Sequence, residues 1–405
     1  MRTRNFVLFV LALTLAASLA GCGGNQTKTL TWWTLPDRVG EEALARQCSD
    51  VGGGYRIEVH VLPALLKDRR ADLVRRLSAG DDDIDILTLD SALTSEFAAA
   101  KFLAPLPKAL SSDLGIIPTA AASASYRNKL VAVPWWVDPQ LLWYRGASAE
   151  RAGIDTTRPV SWDALLAGAD RIRASVQIDN ADGTGVSDWV VGLVTEAGGR
   201  VLTGSGRKPK VGLNSDAGRV AAGLVQFYMS SGLGDGPSDR ALAEFAGTRG
   251  AFLVARASAR TAREVVAVAA DMRPVRYPVI GASSKSPMAA AALAVPASSD
   301  NRKAAFAAVK CLTSREAQAE IMVNSGRGAA HSSVYSEANV TRVVPYAQTL
   351  LAAARGGVTA PSTPYWHLAE KAITLAWTPL SAVAPGHTPR ESAEAVTSLV
   401  SGGLR

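Results

Sequence analysis

An α/β protein of two lobes is expected, on three grounds. Apolar strand patterns alternate with amphipathic helix patterns from Leu30 to Asp90, as in a parallel sheet with helices on its faces. The chain has 405 residues, too many for one ordinary core. The stretch Val131 to Arg145, V-A-V-P-W-W-V-D-P-Q-L-L-W-Y-R, reads as strand on both sides of a proline-punctuated centre. Val131, Val133 and Val137 suit one strand, and Leu141, Leu142 and Tyr144 a second. Pro134 and Pro139 cannot donate to a ladder, so the chain is expected to change sheet partners there, as a segment crossing between lobes must. Trp135, Trp136 and Asp138 then fall where the lobes meet. Ring faces with a carboxylate between them suit a polyhydroxylated ligand, which stacks its C–H faces and donates its hydroxyls; equally, the rings can be core and Asp138 a turn cap.

The elements follow in order. Arg2 and Arg4 precede a short apolar run, Phe6 to Leu19, which has the form of a secretion signal and is too short for a convincing membrane span. It ends in Leu19-Ala20-Gly21-Cys22, which resembles the bacterial lipobox, where cleavage before Cys22 is followed by acylation of that residue. Several acyl chains would anchor stably where one would not. Residues 22–29 are then a flexible, lipidated tether. Leu30 to Thr34 is a first strand, Val39 to Cys48 an amphipathic helix, and Tyr55 to Leu62 a second, alternating strand. Ala64 to Ala79 is a helix whose Arg69, Arg70, Arg75 and Arg76 form a solvated basic face opposite Leu66, Leu73 and Leu77. Ile84 to Asp90 is a buried strand. Asp90 ends it, where ligands of open α/β sheets bind, and also precedes a helix it could cap; ligand contact is the favoured role.

Beyond the crossing stretch, Ser161 caps a helix to Ala174, with Asp163 near its positive end. Ser187 to Ala197 is helical, a hairpin spans the glycine-rich stretch from Gly198 to Asn214, and Ala217 to Ser231 is helical. Thr388, Pro389 and Glu391 form the start of a final helix. Apolar residues make up 48% of the chain and charged ones 20%, which marks a globular protein. The formal charge of +7 is mild and spread out, and without a recognisable motif it gives nucleic-acid binding no support.

Several of these stretches together resemble the bacterial extracellular solute-binding protein family 1, the sugar-binding lipoproteins of ATP-driven importers. The crossing stretch matches that family's "G-V-P … L-x-Y-N/R" segment. Val160 to Leu165 matches its "t-W-d-e-L" helix start, and Ala100 to Leu106 its "G-x-L-x-P-L". Asn301 to Leu312 matches "n-k-e-A-A-w-e-f-v-k-f-L", and Gly326 to Tyr335 its "G-x-x-P-x-x-x-s-v-Y" loop, with alanine where proline is usual. In character it is closest to actinobacterial disaccharide-binding lipoproteins. Two departures stand out: Arg256 to Val275 carries no tryptophan, and the family's Gly-Gly before the next strand is replaced by an alanine run, Ala289 to Ala292.

The resemblance implies a two-lobed periplasmic-binding-protein-like fold of class II. Residues 30–137 with 288–340 form the first lobe, and 138–287 with 341–405 the second. A carbohydrate (a disaccharide, amino sugar or glycerophosphodiester) is held at the hinge and passed to permease subunits driven by a cytoplasmic ATPase. Trp33, Trp135, Trp136 and Trp366 are the candidate stacking faces. Asp37, Asp90, Asp138 and Arg327 are the candidate hydroxyl partners, although a solvated arginine is the favoured reading at Arg327. Both remaining cysteines, Cys48 and Cys311, lie on helices of the first lobe. In an exported protein a bridge between them is expected over two buried thiols, with Cα atoms within roughly 7 Å. A monomer on the outer face of the cell membrane, with no cofactor, is implied.

Enzyme signatures do not appear. The histidines at 60, 331, 367 and 387 lack zinc-ligand spacing, and no G-x-S-x-G, P-loop or H-E-x-x-H occurs. Asp90 and Asp138 could serve a glycosidase as easily as a sugar receptor. A binding module turned envelope scaffold remains a further possibility, and a surface hydrolase the least favoured.

Overall fold

The first strand, β1 (Lys28–Thr34), buries Leu30, Trp32 and Thr34 on one side, as its alternation requires. These details come from a computed structural model, which describes residues 27–36, 40–52, 54–112, 115–204, 209–281 and 284–402. Cys22 and Asp37 lie outside the described residues.

Helix α1 (Glu41–Gly52) buries Leu44, Ala45 and Cys48 against the sheet and leads to β2 (Tyr55–Val61), parallel to β1. Helix α2 (Leu66–Ser78) follows, then β3 (Ile86–Asp90), also parallel to β1, and α3 (Ser91–Ala99). The βαβαβ reading thus holds to within a few residues at each end. One detail differs: Arg69 is 1% exposed, not solvated. It lies three residues after Leu66 and four before Leu73, so helical spacing places it on the leucine face.

The crossing segment is one unbroken strand, β4 (Val133–Arg145), rather than two. Its first half pairs antiparallel with β10 (Met288–Ala294); its second half pairs with β8 (Gly250–Arg256) and β9 (Met272–Arg276). The partner change is therefore real, but the prolines do not break the strand. Pro134 sits beside a register irregularity between Ala291 and Ala292, which spares a lost donor.

In the second lobe, α4 (Trp162–Arg171) is capped by Ser161, whose hydroxyl accepts from the Ala164 amide at 3.1 Å. Strand β5 (Ser175–Asp179) lies parallel to β8. Helix α5 (Gly185–Glu196), the short hairpin β6 (Leu202–Thr203) with β7 (Lys210–Val211), and α6 (Asp216–Ser231) complete this side. The tryptophan-free segment after Arg256 forms two 3-10 turns, Ala257–Thr261 and Arg263–Val268, before β9. The chain then returns through β10 to the first lobe, with α7 (Arg302–Leu312) and α8 (Arg315–Ser325). It ends on α9 (Ala347–Gly356), α10 (Trp366–Ala376) and α11 (Thr388–Gly402).

One curled sheet runs through both lobes in the order β5-β8-β4-β10-β3-β1-β2. Separate cores pack at its two ends. Trp32, Phe97, Leu293 and Leu312 belong to the first; Trp162, Trp189, Tyr228 and Trp377 to the second. A third cluster, around Trp143, Tyr335 and Leu350, fills the hinge and takes in α9. Cys48 of α1 and Cys311 of α7 are joined by a disulfide, with Cα atoms 5.8 Å apart. Among the described residues no helix is long and apolar enough to cross a membrane.

Candidate inter-lobe binding site

The ends of strands from both lobes converge on a cavity of about 580 Å³ beside the middle of β4. Leu35 and Pro36 reach it from β1, Trp136 and Asp138 from β4, Asp179 and Asp182 from the end of β5, and Arg256 and Ser258 from the end of β8. Ser325 closes it from the end of α8 and Arg327 from the turn that follows. Strand ends are where an open α/β sheet leaves backbone and side chains free to meet a ligand.

Asp138 is 2% exposed and both its oxygens are engaged: the Ser258 amide donates to Oδ1 at 3.0 Å and the Ser258 hydroxyl to Oδ2 at 2.6 Å. Burial raises its pKa, against the pull of Arg327, Arg256 and the Ser258 bonds. Its first task is therefore to fix the turn after β8. Arg327 is buried rather than solvated; its Nε lies 3.9 Å from Asp138, and its guanidinium covers one face of Trp136 at 4.6 Å from the ring centre.

Arg256 is the electrostatic centre. It donates to Asp182 at 2.7 Å and approaches Asp188 at 3.5 Å. Burial opposes its charge, but Asp182, Asp188 and Asp138 overcome that and raise its pKa. One guanidinium cannot satisfy several carboxylates equally. At Asp182 burial raises the pKa, but Arg256 and Arg69 outweigh it and the net shift is downward; at Asp188 burial prevails and the pKa is raised. Asp179, desolvated and with Asp182 nearby, is pushed up to about 6 despite Arg256. From the first lobe, Arg69 donates to the carbonyls of Pro63 and Ala64 at 3.0 and 2.8 Å and to Asp90 at 3.3 Å, and it stands 4.0 Å from Asp182.

Of the residues expected to meet a ligand, Trp136, Asp138 and Arg327 are brought together here. Asp90, Trp33, Trp135 and Trp366 are placed elsewhere, and Asp37 lies outside the described residues. Asp90 caps α3, accepting from the Ala92 amide at 2.9 Å, and pairs with Arg69 instead of lining the cavity. Trp33 points to the α2 side of the sheet, stacked on His60 and beneath Arg76, because β1 turns Trp32 to one face of the sheet and its neighbour to the other. Trp135 is core, edge-on to Trp32 at 5.4 Å, and Trp366 packs into the second core.

Asp179, Asp182, Arg256, Ser258 and Arg69 were not anticipated from the sequence. Asp179 and Arg256 end their strands, the same signal that drew attention to Asp90. Asp182 and Ser258 sit in turns, and nothing in the local pattern marks them.

The model of bacterial extracellular solute-binding proteins matches residues 67–319. Solved structures agree in fold. The acarbose-binding GacH receptor of Streptomyces glaucescens superposes with a TM-score of 0.79 at 20% identity, covering 93% of this chain and 99% of that one. MalE3 of T. maritima, solved with maltose, gives 0.77 at 20% identity, covering 92% and 99%. The solute-binding protein of Agrobacterium vitis with bound D-mannitol gives 0.71 at 18%, covering 93% and 98%.

Proposed function

This chain belongs to the bacterial extracellular solute-binding protein family, and from that premise we propose that it captures a carbohydrate or polyol between its lobes for an ATP-driven importer. The observation that carries the reading is the cavity beside Asp138, where strand ends of both lobes meet around carboxylates, arginines and Trp136. Carboxylates and guanidinium groups are the acceptors and donors that hydroxyls need, and Trp136 on the cavity wall offers an apolar contact. Structurally similar proteins bind acarbose, maltose and mannitol, which supports the same ligand class. A disaccharide, an amino sugar or a glycerophosphodiester is the finer proposal.

Binding proceeds by closure of the lobes about β4, since a ligand touching both lobes favours the closed state. The closed form is what a membrane permease recognises, and acylation at Cys22 keeps the protein beside it. The protein performs no chemistry of its own.

A thermal-shift screen of mono- and disaccharides, polyols, amino sugars and glycerophosphodiesters tests this. A ligand at 100 times its Kd adds about 2.7 kcal/mol to native stability. A clear shift with one class is expected. A flat panel would contradict carbohydrate capture.

A further inference from the structure

The two lobes enclose a second cavity, of about 720 Å³, which shares no lining residue with the first. It opens between α3 of the first lobe and α5 with the 199–204 turn of the second, and the run 355–362 completes its wall. Ser95 and Ser362, hydrogen-bonded to each other at 3.0 Å across 267 residues, lie on that wall.

The two cavities differ in charge. The first mixes Asp138, Asp179, Asp182 and Glu264 with three arginines. The second is lined by Arg200, Lys285 and Arg355 and by no aspartate or glutamate. Its remaining polar side chains are all hydroxyls, Thr195 among them. None of the three cations makes an ion pair among the described residues, whereas Arg69, Arg70, Arg76 and Arg256 all do. Glu196 comes near Lys285, but its oxygens accept from the backbone amides of Lys285 and Ile280.

We propose that this second cavity is an anion-accepting site, which takes a phosphate, sulfate or carboxylate carried by a hydroxyl-rich solute. Three cations on a cleft wall that carries no carboxylate among the described residues raise the positive potential there. Arg200 and Arg355 can each offer an anion two parallel donors, and Lys285 a point charge. The hydroxyls serve the uncharged part. The inference deepens the solute-capture reading and rests on it, because the cavity lies between the same two lobes.

Calorimetric titration of the whole protein with inorganic phosphate, sulfate, glucose 6-phosphate and glucose at fixed ionic strength tests it. The variant carries Arg200→Gln, Lys285→Gln and Arg355→Gln. Wild type is expected to bind glucose 6-phosphate or one of the free anions saturably, and the variant at least tenfold more weakly, with any response to glucose equal in both. All three side chains are exposed, so single substitutions, each expected to weaken the anion severalfold, keep the test readable should the triple variant fold poorly. No saturable anion binding, or equal affinity in the variant, overturns the proposal. Anion binding together with a flat thermal-shift panel of uncharged carbohydrates and polyols would sustain this site and contradict carbohydrate capture. Carbohydrate binding alone would do the reverse.

Discussion

Arg69 of the first lobe and Asp182 of the second stand 4.0 Å apart across the cleft, and the same Asp182 oxygen accepts from Arg256 at 2.7 Å. One carboxylate thus connects a guanidinium from each lobe. Ser95 with Ser362, and His367 with Glu96 at 3.4 Å, join the lobes at neighbouring points. These contacts bridge the lobes without any solute, and under the proposed closure mechanism they favour the closed state.

Asp182→Asn weakens that closure. The substitution removes the charge shared by two arginines, at a cost of about 1.5–3 kcal/mol for a charged hydrogen bond. Small-angle scattering of the unliganded variant is expected to give a larger radius of gyration than wild type. An identical radius would show that the pair does not hold the lobes together.

Stability of the unliganded protein falls as pH rises from about 4.5 to 8. Burial raises Asp179 to about 6 and Glu370, with Asp188 and Asp90 nearby, to about 8. Both values exceed the unfolded values, so the folded state holds protons that the unfolded state has released. That stabilisation is complete below the unfolded pKa values and is lost as pH climbs through 6 and then 8. Melting temperatures across this range should decline, and the decline should flatten in Asp179→Asn and Glu370→Gln together. An unchanged slope in the double variant would remove these groups from the account.

The neighbouring tryptophans separate stability from binding. Trp135→Ala empties core volume and is expected to cost about 3–5 kcal/mol while leaving solute affinity near wild type. Trp136→Ala removes a wall of the cavity and the shelf under Arg327. It should weaken solute binding severalfold. Denaturation curves and titrations of both variants read this directly, and the reverse pattern would place the ligand against Trp135.

Breaking the Cys48–Cys311 bridge loosens the first lobe. The bridge closes a loop of 263 residues and pins α1 to α7. Paired serine substitutions should destabilise by about 2–4 kcal/mol, seen as a lower denaturant midpoint. Equal midpoints for wild type and variant would show that packing alone holds the two helices.

Period and pattern made much of this fold legible. Alternation in β1 and β2, the capping serine at Ser161 and the spacing of the crossing stretch all come from local physics, and the strands and helices follow them. Position within the fold was harder to read. Val133 to Arg145 stays one strand because β10 relaxes its register beside Pro134, which depends on its partner Ala292, far along the chain. Whether Trp135 or Trp136 met the cavity depended on a one-residue alternation that the sequence alone could not orient. Arg69 was different: its place in the leucine stripe was visible, but charge suggested solvent, and Asp90, Asp182 and two carbonyls make its burial tolerable. The charges around Arg256 come from the middle of β4 (Asp138), the turn after β5 (Asp182) and the first turn of α5 (Asp188), and no linear pattern joins them.

Hydrogen–deuterium exchange of the protein with and without the solute that most raises its melting temperature tests the central claim most directly. Solute held beside Asp138 should slow exchange at residues 179–182 and 256–264 of the second lobe and at the turn near Arg327, with the outer helix α6 unchanged. Slowed exchange confined to surfaces away from the cleft, or no solute that slows exchange at all, would contradict capture between the lobes.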